Sequence, residues 1–270
     1  MGDTLLYEVK EGVAIITFNR PDKLNSINVP FCMELCECLE ETWNNKEARS
    51  VLITATGKNF CAGADLSNVE YDTTDKTKIK VKNLDIDFMV DILYRMGTIS
   101  QLIHEMPKPV ISSVRGAAVG GGAGFAILSD IVFASENAVF GYVFSKIGVA
   151  PDSATSVLLT RHLGLKKTME LFFSGETITS EKALEFGLIN KVVQDDLLDQ
   201  VAWEYALKLA SGPTKAFAYM KKMVYGNLSN DFVQAIEKET VLQYKALHLE
   251  DANEGVKAFL EKRKANFTGE

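Results

Sequence analysis

Three consecutive glycines, Gly120, Gly121 and Gly122, lie in the stretch Gly116-Ala117-Ala118-Val119-Gly120-Gly121-Gly122-Ala123-Gly124-Phe125-Ala126. The apolar run at 109–114 before it reads as a buried strand, and 125–130 after it reads as a short buried helix. Glycines at such a junction leave backbone N–H groups unshielded by any Cβ. At a helix N-terminus those donors meet the positive end of the dipole, which suits a bound anion or an oxygen that gains negative charge during a reaction. The same glycines would equally serve a tight turn or close helix packing.

Phosphate-binding fingerprints fit poorly. No Lys-Ser or Lys-Thr follows the glycines, which excludes a P-loop, and the spacing is not that of a dinucleotide fingerprint after a first strand. Residues 19–26 form a polar loop with two cations, Arg20 and Lys23, read either as a solvated turn or as a phosphate contact. Asp152 follows Pro151 at a loop-to-helix turn, where the local sequence reads it as a helix-start residue matched to the dipole. Cys32 and Cys36 are four apart in a helical pattern, but His104, His162 and His248 all lie far along the chain. With Cys38 and Cys61 they read as isolated reduced thiols, and no metal is expected.

The elements that must position these groups alternate. Two β-rich runs, at 6–10 and 13–18, flank Glu11-Gly12, a hairpin signal. A helical pattern from Val29 to Trp43, a strand at 50–55 and a small-residue junction at 56–66 follow. Residues 70–83 are lysine-rich and polar, a solvated segment or a loop over a ligand. The spacing predicts a long helix over 84–106, strands at 131–134 and 138–144, a helix over 166–173, a turn at 174–178 and a last strand at 189–193. Repeated strand–helix units predict an α/β core with parallel pairing. From Asp195 onward the pattern is helical, with breaks near Ser211-Gly212-Pro213 and Tyr225-Gly226-Asn227. The expected division is a core over 1–196 and a helical region over 197–270 that packs on neighbouring subunits.

At 270 residues with 47% hydrophobic and 24% charged content, the chain reads as an ordinary globular protein. A formal charge of −7 argues against general nucleic-acid binding. The first residues lack a basic start and an apolar core of signal-peptide length, and no run is long enough to span a membrane, so no membrane partner and a cytoplasmic location are expected.

The ordered motifs then resemble the crotonase (enoyl-CoA hydratase/isomerase) superfamily over nearly the whole chain. They are Asn19-Arg20-Pro21 with Asn25, Phe60-Cys61-Ala62-Gly63-Ala64-Asp65-Leu66, Lys108-Pro109-Val110 with Gly116 to Gly122, and Ser129-Asp130. Phe140-Gly141, Gly148, Leu163-Gly164, Ser174-Gly175 with Ala183, and Gly187-Leu188 continue them. The resemblance implies a spiral of ββα repeats with a C-terminal helical trimerisation region, hence a homotrimer or hexamer. It implies an acyl-CoA thioester substrate, with coenzyme A entering as part of that substrate and no separate cofactor. The N–H groups of Ala64 and Gly121 would hold the thioester enolate. The loop at Ala62, Asp65 and Leu66 would take the adenine, and Lys23 and a neighbouring subunit's residue at the position of Lys262 would meet phosphates. Phe144, Tyr142, Phe125 and Met89 are candidates for an aromatic-tolerant acyl pocket, or simple core.

The same resemblance bears on the reaction. Hydration in this superfamily uses two glutamates, whose positions here hold Gly124 and Phe144, and neither can transfer a proton. Asp152 matches the acid of Δ3,Δ2-enoyl-CoA isomerases and of the ring-opening isomerases of phenylacetate breakdown. One base and an oxyanion hole suffice to move a double bond, so an enoyl-CoA isomerase is expected and hydratase activity is not. The segment 147–156 is also similar to 4-chlorobenzoyl-CoA dehalogenase, whose aspartate is a nucleophile, but Phe144 stands in place of its tryptophan and Gly97 in place of its histidine, with His104 out of register. A CoA- or RNA-binding homologue without catalysis is a third reading, opposed by the acidic balance and the acid at 152.

Overall fold

The structure, a computed structural model, describes the backbone of residues 3–67, 70–71, 81–82 and 86–270, with side chains up to 67 and from 90 onward. Most of the lysine-rich segment 70–83 and the side chain of Met89 therefore lie outside the described residues. In chain order the elements are β1 (Leu5–Lys10), β2 (Val13–Phe18), α1 (Val29–Asn44), β3 (Ser50–Ala55), β4 (Glu70–Tyr71), β5 (Val81–Lys82), α2 (Ile86–Glu105), β6 (Val110–Val114), β7 (Ala117–Val119), α3 (Gly121–Leu128), β8 (Ile131–Ser135) and β9 (Val139–Gly141). They continue with α4 (Thr155–Ser174), β10 (Thr177–Thr179), α5 (Ser180–Glu185), β11 (Lys191–Val193), α6 (Leu198–Ala210), α7 (Thr214–Asn227), α8 (Phe232–Ala246) and α9 (Glu250–Leu260).

β1 and β2 pair antiparallel through a turn in which Glu11 (φ 51°) and Gly12 (φ 81°) are both left-handed, the geometry that matches hairpin twist. The remaining pairs of the six-stranded sheet, ordered β1-β2-β3-β6-β8-β11, are parallel. A second sheet runs β10-β9-β7, and Cys61 bridges to Ala118 at its edge. Each winding thus gives one strand to the large sheet, one short extended piece to the small one, and then a helix: β3, Cys61 and α2; β6, β7 and α3; β8, β9 and α4. This is the α/β spiral of ββα repeats, with helices following at the C-terminus.

The glycine stretch between the strand read at 109–114 and the helix read at 125–130 contains β7 and the start of α3, which spans Gly121–Leu128, and the expected turn at 174–178 runs into β10, which pairs with β9. Three-residue strands carry too little periodicity to be seen in sequence. The run at 138–144 is a strand only to Gly141, beyond which residues 143–147 coil into a 3-10 turn.

One face of the large sheet packs against α1–α4 around Phe18, Phe31, Leu35, Phe60, Phe125 and Phe140. The other is covered by α6, whose Leu198, Ala202, Ala206 and Ala210 meet Val13, Leu52, Ile111 and Phe133. α6 thus forms a layer of the core, and the later helices are attached by polar clamps. Asp130 accepts Lys221 Nζ (2.9 Å) and Tyr225 OH (2.8 Å) from α7 and the Val110 N–H (2.8 Å). Arg49 donates to the Gly212 carbonyl in the α6–α7 link and to the Phe267 carbonyl in the tail, tying both to the start of β3. Lys108 Nζ caps α1 at the carbonyls of Thr42 and Asn45. Cys32, Cys38 and Cys61 are buried, and burial pushes their thiols up to about 12. Among the described residues no cluster of metal-ligating side chains occurs, and no helix is long and apolar enough to cross a membrane.

Candidate active site

The two backbone donors are set by two abutting glycines. The 61–65 segment lies along β7 through Cys61 N–H to Ala117 O (3.0 Å) and Val119 N–H to Cys61 O (2.9 Å). Gly63 has φ +88° and Gly120 φ +55°, conformations that glycine adopts without a Cβ clash. A Cβ on Gly63 would stand 2.9 Å from the Val119 carbonyl oxygen, and one on Gly120 would stand 3.9 Å from the Gly63 Cα. The residue after each glycine is a donor. Around Ala64, the Gly63 carbonyl accepts Ile27 N–H (2.8 Å) and Asp65 N–H donates to Ile27 O (2.8 Å), leaving the Ala64 N–H over. Gly121 is the first residue of α3, where an N–H has no intrahelical acceptor. Among the described residues neither N–H finds another acceptor.

The loop carrying Ala64 is held from behind. Asn25 is fully buried at φ +53°; its Nδ2 donates to Thr56 O (2.9 Å) and Asn59 O (2.8 Å), and its Oδ1 accepts the Arg20 N–H (2.7 Å). Arg20 reaches Asp65 at 2.7 Å, and Ser67 donates its N–H and hydroxyl to the other carboxylate oxygen. Burial works against the charged form of Asp65, yet the hydrogen bonds from Ser67 and Arg20 hold it down at about 2. The motif Asn19-Arg20-Pro21 with Asn25 is therefore a brace for this loop, and Arg20 is spent on Asp65. Lys23 remains exposed on the 3-10 turn Pro21–Lys23, whose neighbour Leu24 accepts the Ala62 N–H (3.0 Å). Lys23 and half-buried Ala62 thus lie on one rim, with Leu66 exposed four residues beyond Ala62. Lys262 is exposed just beyond α9, ahead of a tail whose Phe267 carbonyl accepts from Arg49, and no hydrogen bond or ion pair among the described residues joins it to Lys23, Ala62 or Leu66.

Asp152 enters from the turn before α4. Its main-chain carbonyl, not its carboxylate, receives the Thr155 N–H (2.9 Å) and hydroxyl (2.7 Å). The carboxylate therefore does not cap the helix. Its Oδ1 is buried without a hydrogen-bond partner among the described residues, as is Ser153 Oγ. Burial pushes the Asp152 carboxyl up from the ordinary carboxylate range; the adjacent Ser153 hydroxyl tempers the rise without reaching hydrogen-bond geometry. Ser153 (φ 49°) and Ala154 (φ 57°) are consecutive left-handed residues that are not glycine, strain that persists only where surroundings enforce it.

That turn fills the space beside the glycines. A Cβ on Gly124 would stand 2.6 Å from Ser153 Cβ and 2.9 Å from Ser153 O. One on Gly121 would meet Met96 Cε at 2.5 Å, Ile27 Cδ1 at 3.1 Å and Ser153 Oγ at 3.2 Å. Ser153 joins Asp152 to the Gly121 donor, and its sequence carried no sign of this. Phe144 is buried, with its ring centroid 6.1 Å from that of Phe172. Phe125 and Tyr142 are fully buried core. A Cβ on Gly97 would meet nothing within 4 Å, and His104 stacks on Tyr225 at 4.2 Å, where burial lowers its pKa. Neither supplies a base beside Asp152. A cavity of about 450 Å³ bordered by Ile127, Asp130, His162, Tyr205 and Lys221 includes neither donor nor Asp152, and its Asp130 and Lys221 are already paired to each other.

Two bare amides on abutting segments, with a single poorly solvated carboxyl nearby, can stabilise an oxyanion and exchange a proton. Comparison with known proteins adds a lineage. The pattern of the family described as enoyl-CoA hydratase/isomerase matches residues 8–270. The chain is 35% identical over 269 residues to 1,2-epoxyphenylacetyl-CoA isomerase of Escherichia coli, covering 100% of both chains. It is 32% identical over 265 residues to trans-2-decenoyl-[acyl-carrier-protein] isomerase of Streptococcus mutans, covering 98% of each. The crystal structure of enoyl-CoA hydratase from Bacillus anthracis superposes with a TM-score of 0.90 at 27% identity, covering 99% of this chain and 100% of that one.

Proposed function

Since this chain belongs to the enoyl-CoA hydratase/isomerase family, enzymes of acyl-CoA thioesters, we propose that it is an isomerase that converts 3-enoyl-CoA to 2-enoyl-CoA. Asp152 removes an α proton, the resulting dienolate oxygen rests on the Ala64 and Gly121 N–H groups, and the same carboxyl returns the proton at the γ carbon. Burial raises the Asp152 carboxyl above its ordinary value, which makes it a stronger base than a solvated carboxylate for the first transfer while it stays acidic enough to return the proton.

The observation that carries this reading is the packing of Ser153 against Gly124. The two positions where the superfamily's hydration glutamates would sit are a glycine already in contact with Ser153 and a phenylalanine buried against Phe172. Without a second acid, water activation and proton delivery cannot be divided between two groups, whereas a one-base shuttle needs no division. The isomerase names of two relatives agree; other relatives and neighbours carry hydratase names.

The CoA moiety would lie along the rim of Lys23, Ala62 and Leu66, with Asp65 acting through Arg20 and Ser67 to fix the loop. Exposed apolar residues on α8 and α9, among them Phe232 (80% exposed) and Phe259 (83%), would be covered in a homotrimer or a pair of trimers, which would also bring a second chain's Lys262 toward the rim. The test is direct. Purified protein should convert a 3-enoyl-CoA to its 2-enoyl isomer and hydrate crotonyl-CoA negligibly; rapid hydration with no isomerisation would overturn the reading. Halide release from 4-chlorobenzoyl-CoA would instead assign Asp152 as a nucleophile.

A further inference from the structure

We propose that Ser153 is a positioning residue for the reaction: its hydroxyl donates a hydrogen bond to the Asp152 carboxylate during turnover and fixes the aim of the base, in the space that a second acid would occupy. The inference deepens the isomerase reading and rests on it for the identity of the base.

Three observations lead there. Ser153 Oγ and Asp152 Oδ1 belong to adjacent residues, are both buried, and neither has a partner among the described residues. Ser153 is 5% exposed, so its hydroxyl has little access to water, and a buried hydroxyl left unpaired is disfavoured. Its Oγ stands 3.2 Å from the position of a Cβ on Gly121, which puts it at the donor side of the site.

The backbone sharpens the point. At φ 49° a glycine would sit without strain, so a turn that needed only this shape would be better served by one. Contact with Gly124 is made by Ser153 Cβ and main-chain oxygen, which an alanine would supply equally. What neither glycine nor alanine supplies is the hydroxyl. Ser153 borders Gly121 and Gly124 of α3, Met96 of α2 and Ile27 border the same point at Gly121, and Thr155 of α4 is bonded to the Asp152 main-chain carbonyl. Among the described residues no charged group acts on the Asp152 carboxyl: burial opposes its ionised form and the Ser153 hydroxyl favours it, while the Thr155 hydroxyl is engaged by the Asp152 main-chain carbonyl.

The experiment compares wild type with Ser153→Ala and Ser153→Gly, because the first removes the hydroxyl and keeps the strain while the second removes both. Both should move the acid limb of the kcat–pH profile up by about one unit, a tenfold change in proton affinity, and lower kcat below that limb with KM within about twofold. Thermal stability should divide them, with Ser153→Gly above Ser153→Ala because only glycine relieves the left-handed backbone. An acid limb unmoved in Ser153→Gly, or activity that follows stability across the pair, would overturn the proposal. Should wild type fail to isomerise any 3-enoyl-CoA, the isomerase reading fails separately. A carbon-13 carboxyl titration of Asp152 in wild type and Ser153→Gly then decides the Ser153 role alone: a higher midpoint in the variant supports it, and identical midpoints sink it.

Discussion

Gly124 and Ser153 are in such close apposition that a single methyl on the glycine would come within 2.6 Å of the serine Cβ. This contact binds the first turn of α3 to the strained turn ahead of α4. A side chain at 124 and the present course of 152–155 exclude each other.

Gly124→Glu is therefore expected to lose stability without gaining hydratase activity. Overpacking a closed site of this kind costs about 1–3 kcal/mol, and the turn carrying Asp152 must shift to relieve it. Denaturant unfolding and a crotonyl-CoA hydration assay measure both. A stable variant that hydrates crotonyl-CoA would show that the turn yields and that a carboxylate at 124 suffices.

Asp152→Asn should reduce isomerisation by roughly 10²–10⁴-fold while acyl-CoA affinity stays within a fewfold of wild type. The same variant carries a signed prediction for stability. The Asp152 carboxyl is raised in the folded state, so its favourable share of stability is full below the unfolded carboxyl pKa and is lost as pH rises through the folded value. Melting curves of wild type and Asp152→Asn should draw apart in the variant's favour as pH climbs from acid to neutral. Parallel curves would place the carboxyl in solvent.

Asp65 behaves in the opposite sense. Held at about 2 in the folded protein, it contributes stability above the ordinary carboxylate range that is lost as pH falls toward that value. Asp65→Asn should flatten the acid side of the stability–pH curve. Arg20→Gln should lower kcat about tenfold by releasing the Ala64 loop, with a smaller effect on acyl-CoA binding. Unchanged kcat in Arg20→Gln would show that the loop keeps its place without the ion pair.

Phe232→Asp and Phe259→Asp together should reduce the sedimenting mass to that of one chain. Both rings are more than three-quarters exposed in the isolated chain, at 80% and 83%. An unaltered assembly in the double variant would put the subunit contact on another face.

Much of the frame is legible in sequence because its signals are local. Glu11-Gly12 specifies the hairpin through backbone conformation, and the repeated alternation of strand and helix specifies parallel pairing of β3, β6 and β8, since each return to the sheet crosses over through a helix. The short strands β7 and β10 were not legible, since three residues show no period and their pairing is decided by partners distant in sequence. Asn19-Arg20-Pro21 was visible as a motif, but its job was not. Only the fold sets Arg20 against Asp65, 45 residues on, and turns a candidate phosphate ligand into a brace.

By itself the sequence determined the residue types available: glycines where two N–H donors must be bare, an acid at 152, and no acid at 124 or 144. The tertiary structure alone decided which of them meet. It brought Gly63 to Gly120, gave the Asp152 carbonyl rather than its carboxylate to Thr155, and set Ser153 against both Gly121 and Gly124. Residue type is a property of one position, whereas a donor's direction and a carboxyl's solvation arise from segments that touch only after the chain has closed on itself.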